Sequence, residues 1–105
     1  MLHLTLRQLK VFESVARYLS YSRAADELHL TQPAVSMQIK QLEDNINLPL
    51  FEQLGKRIFL TEAGQELYQY SRAISQQLAD LEVALDELKG MERGKLNISV
   101  VTTAN

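Results

Sequence analysis

The stretch from Gln65 to Lys89 contains neither proline nor glycine, and it limits the possible folds more than any other part of the sequence. Thr61 and Glu62 precede it and supply the polar and acidic start that helices favour. The sequence therefore predicts one helix that begins at residue 61 and ends before Gly90. At ~1.5 Å per residue such a helix is about 42 Å long. A domain of this size cannot cover all of it.

Apolar side chains recur along this helix at alternating spacings of four and three residues. The positions are Leu67, Ser71, Ile74, Leu78, Leu81, Leu85 and Leu88. All but the serine are large and apolar, which is the pattern of an a/d seam. Burying such a side chain is worth about 1.5–3 kcal/mol, so we expect the seam to be covered. Packing on the helix's own domain is one solution, and pairing with a second copy of the chain is the favoured one.

The first half of the chain predicts three shorter helices. Thr5 and Gln8 have the spacing of a capping box, followed by a helical apolar face. Ser22 is expected to cap a second, short helix. Thr31 is expected to cap a third helix, with Pro33 in its first turn, where a missing N–H is harmless. The expected apolar face of helix one is Leu6, Leu9, Phe12, Val15, Ala16 and Leu19, and that of helix three is Val35, Ile39, Leu42 and Ile46.

Two short β-prone runs follow, Leu50 to Gln53 and Arg57 to Leu60. They flank Leu54-Gly55-Lys56 and predict a small hairpin. Two helices joined by a tight turn and followed by a hairpin describe a helix-turn-helix with a wing.

The third helix would carry a polar face opposite its apolar one. Gln32 suits an adenine edge, Ser36 a base or a phosphate, Met37 a thymine methyl group and Lys40 a phosphate. Lys56 and Arg57 at the hairpin tip would reach a minor groove or the phosphates beside it. A polar helix face is also often simply solvated, so the spacing alone leaves both interpretations open.

The net charge of −2 is unevenly distributed. Residues 1–60 carry seven basic and six acidic side chains, whereas residues 61–94 carry three basic and seven acidic ones. An anionic partner must therefore be bound locally by the first half. The absence of cysteine excludes disulfides, thiolate metal sites and cysteine nucleophiles. No secretory signal and no bilayer-spanning run is visible, so the cytoplasm is the expected compartment.

An enzyme needs a converging set of acid, base or nucleophile. The sequence offers only His3 near the terminus and His29 in a predicted turn, without a phosphate-binding loop. It predicts no enzyme, no cofactor and no metal site. The remaining alternative to a DNA-binding protein is a coiled-coil protein-interaction module without DNA binding.

Several of these segments together resemble the LysR-type transcriptional regulators. They include Leu6-Arg7-Gln8-Leu9, Ser22-Arg23-Ala24-Ala25, Thr31-Gln32-Pro33-Ala34-Val35-Ser36, Leu50-Phe51-Glu52 and Leu60-Thr61-Glu62-Ala63-Gly64. The resemblance covers about residues 4–90. It implies a mainly α fold, namely a winged helix-turn-helix in residues 1–60 followed by a dimerising linker helix in residues 61–90. Residues 91–105 would be a hinge and the first strand of a truncated effector-binding domain.

The resemblance also implies a function and a set of site residues. Helix 32–46 would enter the major groove of double-stranded DNA at an interrupted palindrome, with the 51–60 wing on the flanking backbone or minor groove. The expected DNA contacts are Arg23, Thr31, Gln32, Pro33, Ser36, Met37, Lys40, Lys56 and Arg57. The expected dimer contacts are Leu67, Ile74, Leu78, Leu81, Leu85 and Leu88, with antiparallel helices, and tetramers are expected in the full-length protein.

More narrowly, the segments Pro33 to Lys40, Leu50 to Lys56 and Val101 to Asn105 are similar to regulators of Calvin-cycle carbon-fixation operons. By that resemblance Thr102 and Thr103 match residues that bind a small-molecule inducer in the effector domain, of which this chain is expected to contain only the start. Two positions depart from the family pattern. Many relatives have arginine where Met37 and Gln53 stand, which predicts weaker phosphate contact here.

Overall fold

A computed structural model describes residues 2–101, with side chains through residue 93. The elements in chain order are α1 (Leu6–Tyr18), α2 (Tyr21–Leu28), α3 (Gln32–Ile46), β1 (Phe51–Leu54), β2 (Arg57–Leu60) and α4 (Glu62–Val101). The predicted mainly helical fold with a hairpin between helices three and four is confirmed. The chain divides into two compact units, Met1–Ala73 and Ile74–Asn105.

The caps of the first three helices follow from single polar side chains. Thr5 accepts a hydrogen bond from the Gln8 N–H at 3.0 Å while the Gln8 side chain accepts from the Thr5 N–H, so the predicted capping box is confirmed. Thr31 caps α3, as predicted, with Pro33 in the first turn. The prediction of Ser22 as the cap of α2 was wrong. Ser20 is the cap, because its hydroxyl reaches the Arg23 N–H three residues later, and α2 begins at Tyr21.

The core of the first unit lies between the first three helices and the start of the hairpin. Phe12, Leu42 and Leu50 are completely buried. The other buried apolar residues are Leu9, Val11, Val15, Ala16, Ala24, Ala25, Val35 and Ile39. Two predicted members of the α1 face are exposed instead. Leu4 packs on the core where Leu6 was expected, and Leu19 ends the helix in a left-handed conformation (φ 48°), which takes its side chain off the helical stripe.

The hairpin pairs Phe51 with Leu60 and Leu54 with Arg57, in antiparallel register. Gly55 supplies the positive φ of 64° that the two-residue turn needs at its first position. One face of the hairpin packs inward, with the ring centroids of Phe12 and Phe51 5.5 Å apart. The loop into β1 is fixed by a carboxylate of α3, since Glu43 Oε2 accepts from the Leu50 N–H at 2.7 Å.

Thr61 joins the hairpin to α4. Its N–H donates to the Leu50 carbonyl at 3.0 Å, and its hydroxyl donates to the Pro49 carbonyl at 2.6 Å. The same hydroxyl oxygen accepts from the Gly64 N–H at 3.0 Å, as an N-cap does. The first turns of α4 then pack on the core through Ala63, Leu67 and Tyr68. The first compact unit accordingly includes the start of α4 and continues to Ala73.

The structure differs from the prediction at the far end of α4. The helix was expected to end before Gly90 and a strand to follow at residue 95, yet α4 continues to Val101. An isolated strand has no ladder hydrogen bonds, whereas a helix satisfies its backbone groups within the segment. A glycine inside a helix costs only about 1 kcal/mol, which does not end it. Thr102 and Thr103 lie outside the described residues.

Stability is expected to fall at alkaline pH because of Tyr21. Burial, and to a lesser extent the Glu43 carboxylate, raise the pKa of Tyr21 above its ordinary value of 10.0. A group whose pKa is raised by folding contributes stability below the unfolded-state pKa, and this contribution is lost as the pH rises through the folded-state pKa. We therefore expect urea unfolding midpoints to drop above about pH 10, and Tyr21→Phe to reduce the drop. An identical drop in both proteins would contradict this assignment.

Candidate nucleic-acid interface

Helix α3 separates an inward face from an outward one. Val35, Ile39 and Leu42 are buried, which turns the predicted contact residues away from the core. Gln32, Pro33, Met37 and Lys40 are exposed, Met37 to 60%, and Ser36 is half-buried. The polar face expected from the sequence is therefore present at the surface.

The turn before α3 sets the direction of that face. His29 adopts a left-handed conformation with φ 57°. Its N–H donates to the Asp26 carbonyl, and the next N–H, of Leu30, donates to the Ala25 carbonyl at 2.9 Å. These bonds satisfy the end of α2 within the turn. The two helices are thus joined by a short, hydrogen-bonded turn, which fixes the orientation of α3 relative to α2.

A polar groove brings three elements of the first unit together. It has a volume of about 270 Å³, and its lining includes Ser20 and Ser22 at the start of α2, Gln32 at the start of α3, and Gln53 and Lys56 of the hairpin. The groove therefore connects the expected recognition helix with the expected wing. Arg57 is exposed but pairs with Leu54 on the opposite face of the hairpin from Ile58, so it does not line the groove.

Gln53 has a role that the sequence interpretation missed. Its side-chain N–H donates to the Gly55 carbonyl at 3.2 Å. This bond supports the hairpin turn that carries Lys56. In the sequence, Gln53 differs from its surroundings only in that many relatives have arginine there. A hydrogen bond that depends on the geometry of the folded turn leaves no signal in a single sequence.

A second cluster lies at the corner between α1 and α2. Arg17 forms a salt bridge with Glu27, and both Arg17 and Arg23 lie over the Tyr18 ring. A hydrogen bond with Glu27, together with desolvation, raises the pKa of Tyr18. Of these residues the sequence singled out only Arg23. Helical spacing does not reveal the others, because they meet across a helix junction.

The predicted seam of α4 is split between two environments. Leu67 packs on the core of the first unit, and the Ser71 hydroxyl is buried and donates to the Tyr68 carbonyl at 2.9 Å. Ile74, Leu78, Leu81, Leu85 and Leu88 are exposed, from 37% at Ile74 to 57% at Leu88. Own-domain packing thus accounts for the first two seam positions and leaves five uncovered in the described chain.

Metal-binding clusters and membrane-spanning helices are both absent from the described residues. No group of three His, Asp or Glu side chains there is arranged to hold a metal ion. None of the helices within residues 2–101 combines the length and apolar character that crossing a bilayer requires.

Known proteins resemble this chain in sequence. Residues 6–65 match the family described as bacterial regulatory helix-turn-helix protein, lysR family. A RuBisCO operon transcriptional regulator of Allochromatium vinosum is 62% identical over 99% of this chain and 34% of its own length. The HTH-type transcriptional regulator CbbR of Rhodospirillum rubrum is 54% identical over 94% of this chain and 33% of its own length. The chain thus spans about a third of the length of these curated relatives.

Solved structures resemble it in fold. The CbnR_DBD–DNA complex contains a chain that is 31% identical with a TM-score of 0.71, covering 83% of this chain and 99% of that one. The chain of the BenM_DBD/benA site 1 DNA complex is 28% identical with a TM-score of 0.77, covering 81% and 96% respectively.

Proposed function

This chain belongs to the lysR family of bacterial regulatory helix-turn-helix proteins, and from that premise we propose that it is the sequence-specific DNA-binding part of a regulator of a carbon-fixation operon. The observation that carries the proposal is the groove that connects the exposed N-terminal turn of α3 with the wing. Relatives named as RuBisCO operon regulators support the operon class. Two structural neighbours of the same fold are DNA complexes.

In this mechanism α3 enters the major groove of double-stranded DNA. Gln32 pairs with an adenine edge, Ser36 with a base or phosphate, and Met37 with a thymine methyl group. Thr31, Pro33 and Lys40 complete the contact face of α3. The hydrogen-bonding side chains and the apolar surface of this face recognise the bases. The Lys40 cation adds affinity that does not depend on the DNA sequence.

The flanking contacts come from outside α3. Lys56 and Arg57 contact the backbone or the adjacent minor groove, and Arg23 contacts a phosphate. Each cation on a phosphate releases counterions, so each adds about 0.9 to the slope of log affinity against log salt. With methionine and glutamine at positions 37 and 53, the slope is smaller than it would be with arginine at both.

Two copies of the chain pair through the exposed positions of α4, from Ile74 to Leu88, with antiparallel helices. Leu67 is already packed in its own unit and adds little to that interface. The pair places two recognition helices on the half-sites of an interrupted palindrome. In the full-length protein the assembly is a tetramer.

The domain organisation of the whole protein follows the family resemblance. The domains are a winged helix-turn-helix in residues 1–60 and a linker helix in residues 61–90, with a hinge and the start of an effector domain in residues 91–105. In that domain Thr102 and Thr103 would contact a small-molecule effector. The protein acts in the cytoplasm as a regulator rather than an enzyme, without a cofactor.

The proposal is tested by fluorescence anisotropy across a salt series. One duplex is an interrupted palindrome selected by this chain from a randomised pool, and the other is its scrambled counterpart. We expect tight binding to the palindrome alone, weakening steeply with salt. Failure to bind either duplex at low salt would contradict the proposed DNA binding and would favour a coiled-coil protein-interaction module.

Two single substitutions should separate base readout from phosphate contact. We expect Gln32→Ala to reduce the preference for the palindrome over the scrambled duplex about tenfold, which is a low value for the loss of one base contact. The salt slope should be unchanged. Lys56→Ala should weaken binding to both duplexes and lower the slope by about 0.9. Lys89→Ala is the control, because this cation lies beside Asp86 on α4. An effect of Lys56→Ala on the palindrome alone would contradict the phosphate assignment.

A further inference from the structure

Two arginines share one aromatic ring at the junction of α1 and α2. The guanidinium carbon of Arg17 lies 5.2 Å from the centroid of the Tyr18 ring, and that of Arg23 lies 5.4 Å from it. Both distances are within the ~6 Å range of a cation–π contact. The arrangement gathers two cations beside the first turn of α2.

The two arginines differ in what else holds them. Arg17 is paired with the Glu27 carboxylate, so its charge is locally balanced. Arg23 lies in the first turn of α2, where its backbone N–H donates to the Ser20 cap. Ser20 and its neighbour Ser22 line the groove that also contains Lys56. Arg23 directly follows the groove residue Ser22 in α2, whereas the charge of Arg17 is paired with Glu27.

A cation–π contact leaves an arginine able to bind an anion. A guanidinium has five N–H donors, so the donors that the ring does not occupy remain available to a phosphate. A free arginine side chain on a surface loses considerable rotamer freedom when it binds. A ring that already restrains the side chain lowers that loss before the ligand arrives.

We propose that Tyr18 is a positioning residue for DNA binding: its ring holds Arg23 ready for a DNA phosphate at the α2 end of the groove, while Glu27 keeps Arg17 away from that phosphate. The inference rests on the proposed function and adds a residue that does not itself contact DNA. Tyr18 acts only through Arg23, and this dependence gives the test its form.

The test is a double-substitution cycle on the 105-residue chain, using the two duplexes and the salt series above. Immobilising a flexible side chain costs about 0.5–1.5 kcal/mol, so Tyr18→Ala should weaken binding to both duplexes about 2- to 10-fold. The salt slope should stay unchanged because no charge is lost. Arg23→Ala should lower the slope by about 0.9. In the Arg23→Ala background, Tyr18→Ala should have no further effect.

Two further variants separate positioning from a structural role. Tyr18→Phe keeps the ring and should retain the original affinity. In the Arg17→Ala background, Tyr18→Ala should still weaken DNA binding about 2- to 10-fold. If Tyr18→Ala lowers the DNA affinity equally with and without Arg23, or does not lower it at all, the inference is overturned. A drop in the thermal unfolding midpoint that accounts for the weakened binding would overturn it as well.

A measurement without DNA keeps this inference distinct from the proposed function. The exchange of the Arg23 Nε–H proton with water is followed by nuclear magnetic resonance in the free protein. We expect slower exchange in the original chain and in Tyr18→Phe than in Tyr18→Ala. Equal exchange in all three proteins would overturn the positioning role even if the chain binds DNA. Slower exchange in a chain that binds neither duplex would show a restrained arginine, and would reject its role toward DNA together with the proposed function.

Discussion

Replacing Gly64 with alanine is expected to destabilise the fold by about 3 kcal/mol, the upper part of the usual range for overpacking. A Cβ atom at this position would lie 2.2 Å from the Leu50 carbonyl oxygen and 2.9 Å from a methyl carbon of Leu60. The nearer obstacle is backbone, and that backbone also accepts the Thr61 N–H. It cannot move without disturbing the junction between the hairpin and α4.

Gly90→Ala is the matched control, since it is the same substitution in the same helix. A Cβ atom at Gly90 would meet nothing within 4 Å, so only the helix propensity changes, and it favours alanine by about 1 kcal/mol. The two variants should therefore shift the urea unfolding free energy in opposite directions, measured by circular dichroism at one fixed protein concentration. A Gly64→Ala protein as stable as the original would contradict the close approach.

Introducing two carboxylates into the seam should abolish the proposed dimer. Leu78→Glu with Leu85→Glu removes two apolar side chains per protomer, each worth about 1.5–3 kcal/mol when buried. It also places four charges in an interface that offers them no partner. We expect the dimer dissociation constant to rise about 100-fold or more, as measured by analytical ultracentrifugation. Affinity for the palindrome should fall towards that of a single half-site.

The control carries the same charges on another face of α4. Ala79→Glu with Val83→Glu also adds two carboxylates, but at exposed positions outside the seam pattern. This protein should remain dimeric and should keep its preference for the palindrome. If the seam variant is still a dimer, the exposed leucines do not form the interface. If the control dissociates equally, added charge alone is responsible.

The elements that the sequence predicted correctly depend on local signals. The capping box of Thr5 and Gln8 lies within one turn of helix, as do the Thr31 cap and Pro33. Such signals require no knowledge of the rest of the fold. The hairpin was predictable for the same reason, because Gly55 marks a turn between two β-prone runs.

The errors and omissions depend on contacts between distant segments. The seam pattern includes Leu67 and Ser71, but the core of the first unit covers these positions, and periodicity alone does not reveal which surface covers a helix. The bond from the Thr61 hydroxyl to the Pro49 carbonyl appears only once the hairpin has formed. The DNA contacts of α3 were predicted from exposed polar side chains, and they stay a prediction.

The order of contacts along the chain has a consequence for folding kinetics. Each of the first helices packs on the next, and the hairpin joins adjacent strands. Chains dominated by such local contacts close short loops and fold within about microseconds to milliseconds. The close approach of Gly64 to Leu50 spans the whole hairpin, so it forms only once the hairpin has closed. The junction that carries α4 is therefore expected to be a late event in folding, and its loss should mainly speed unfolding.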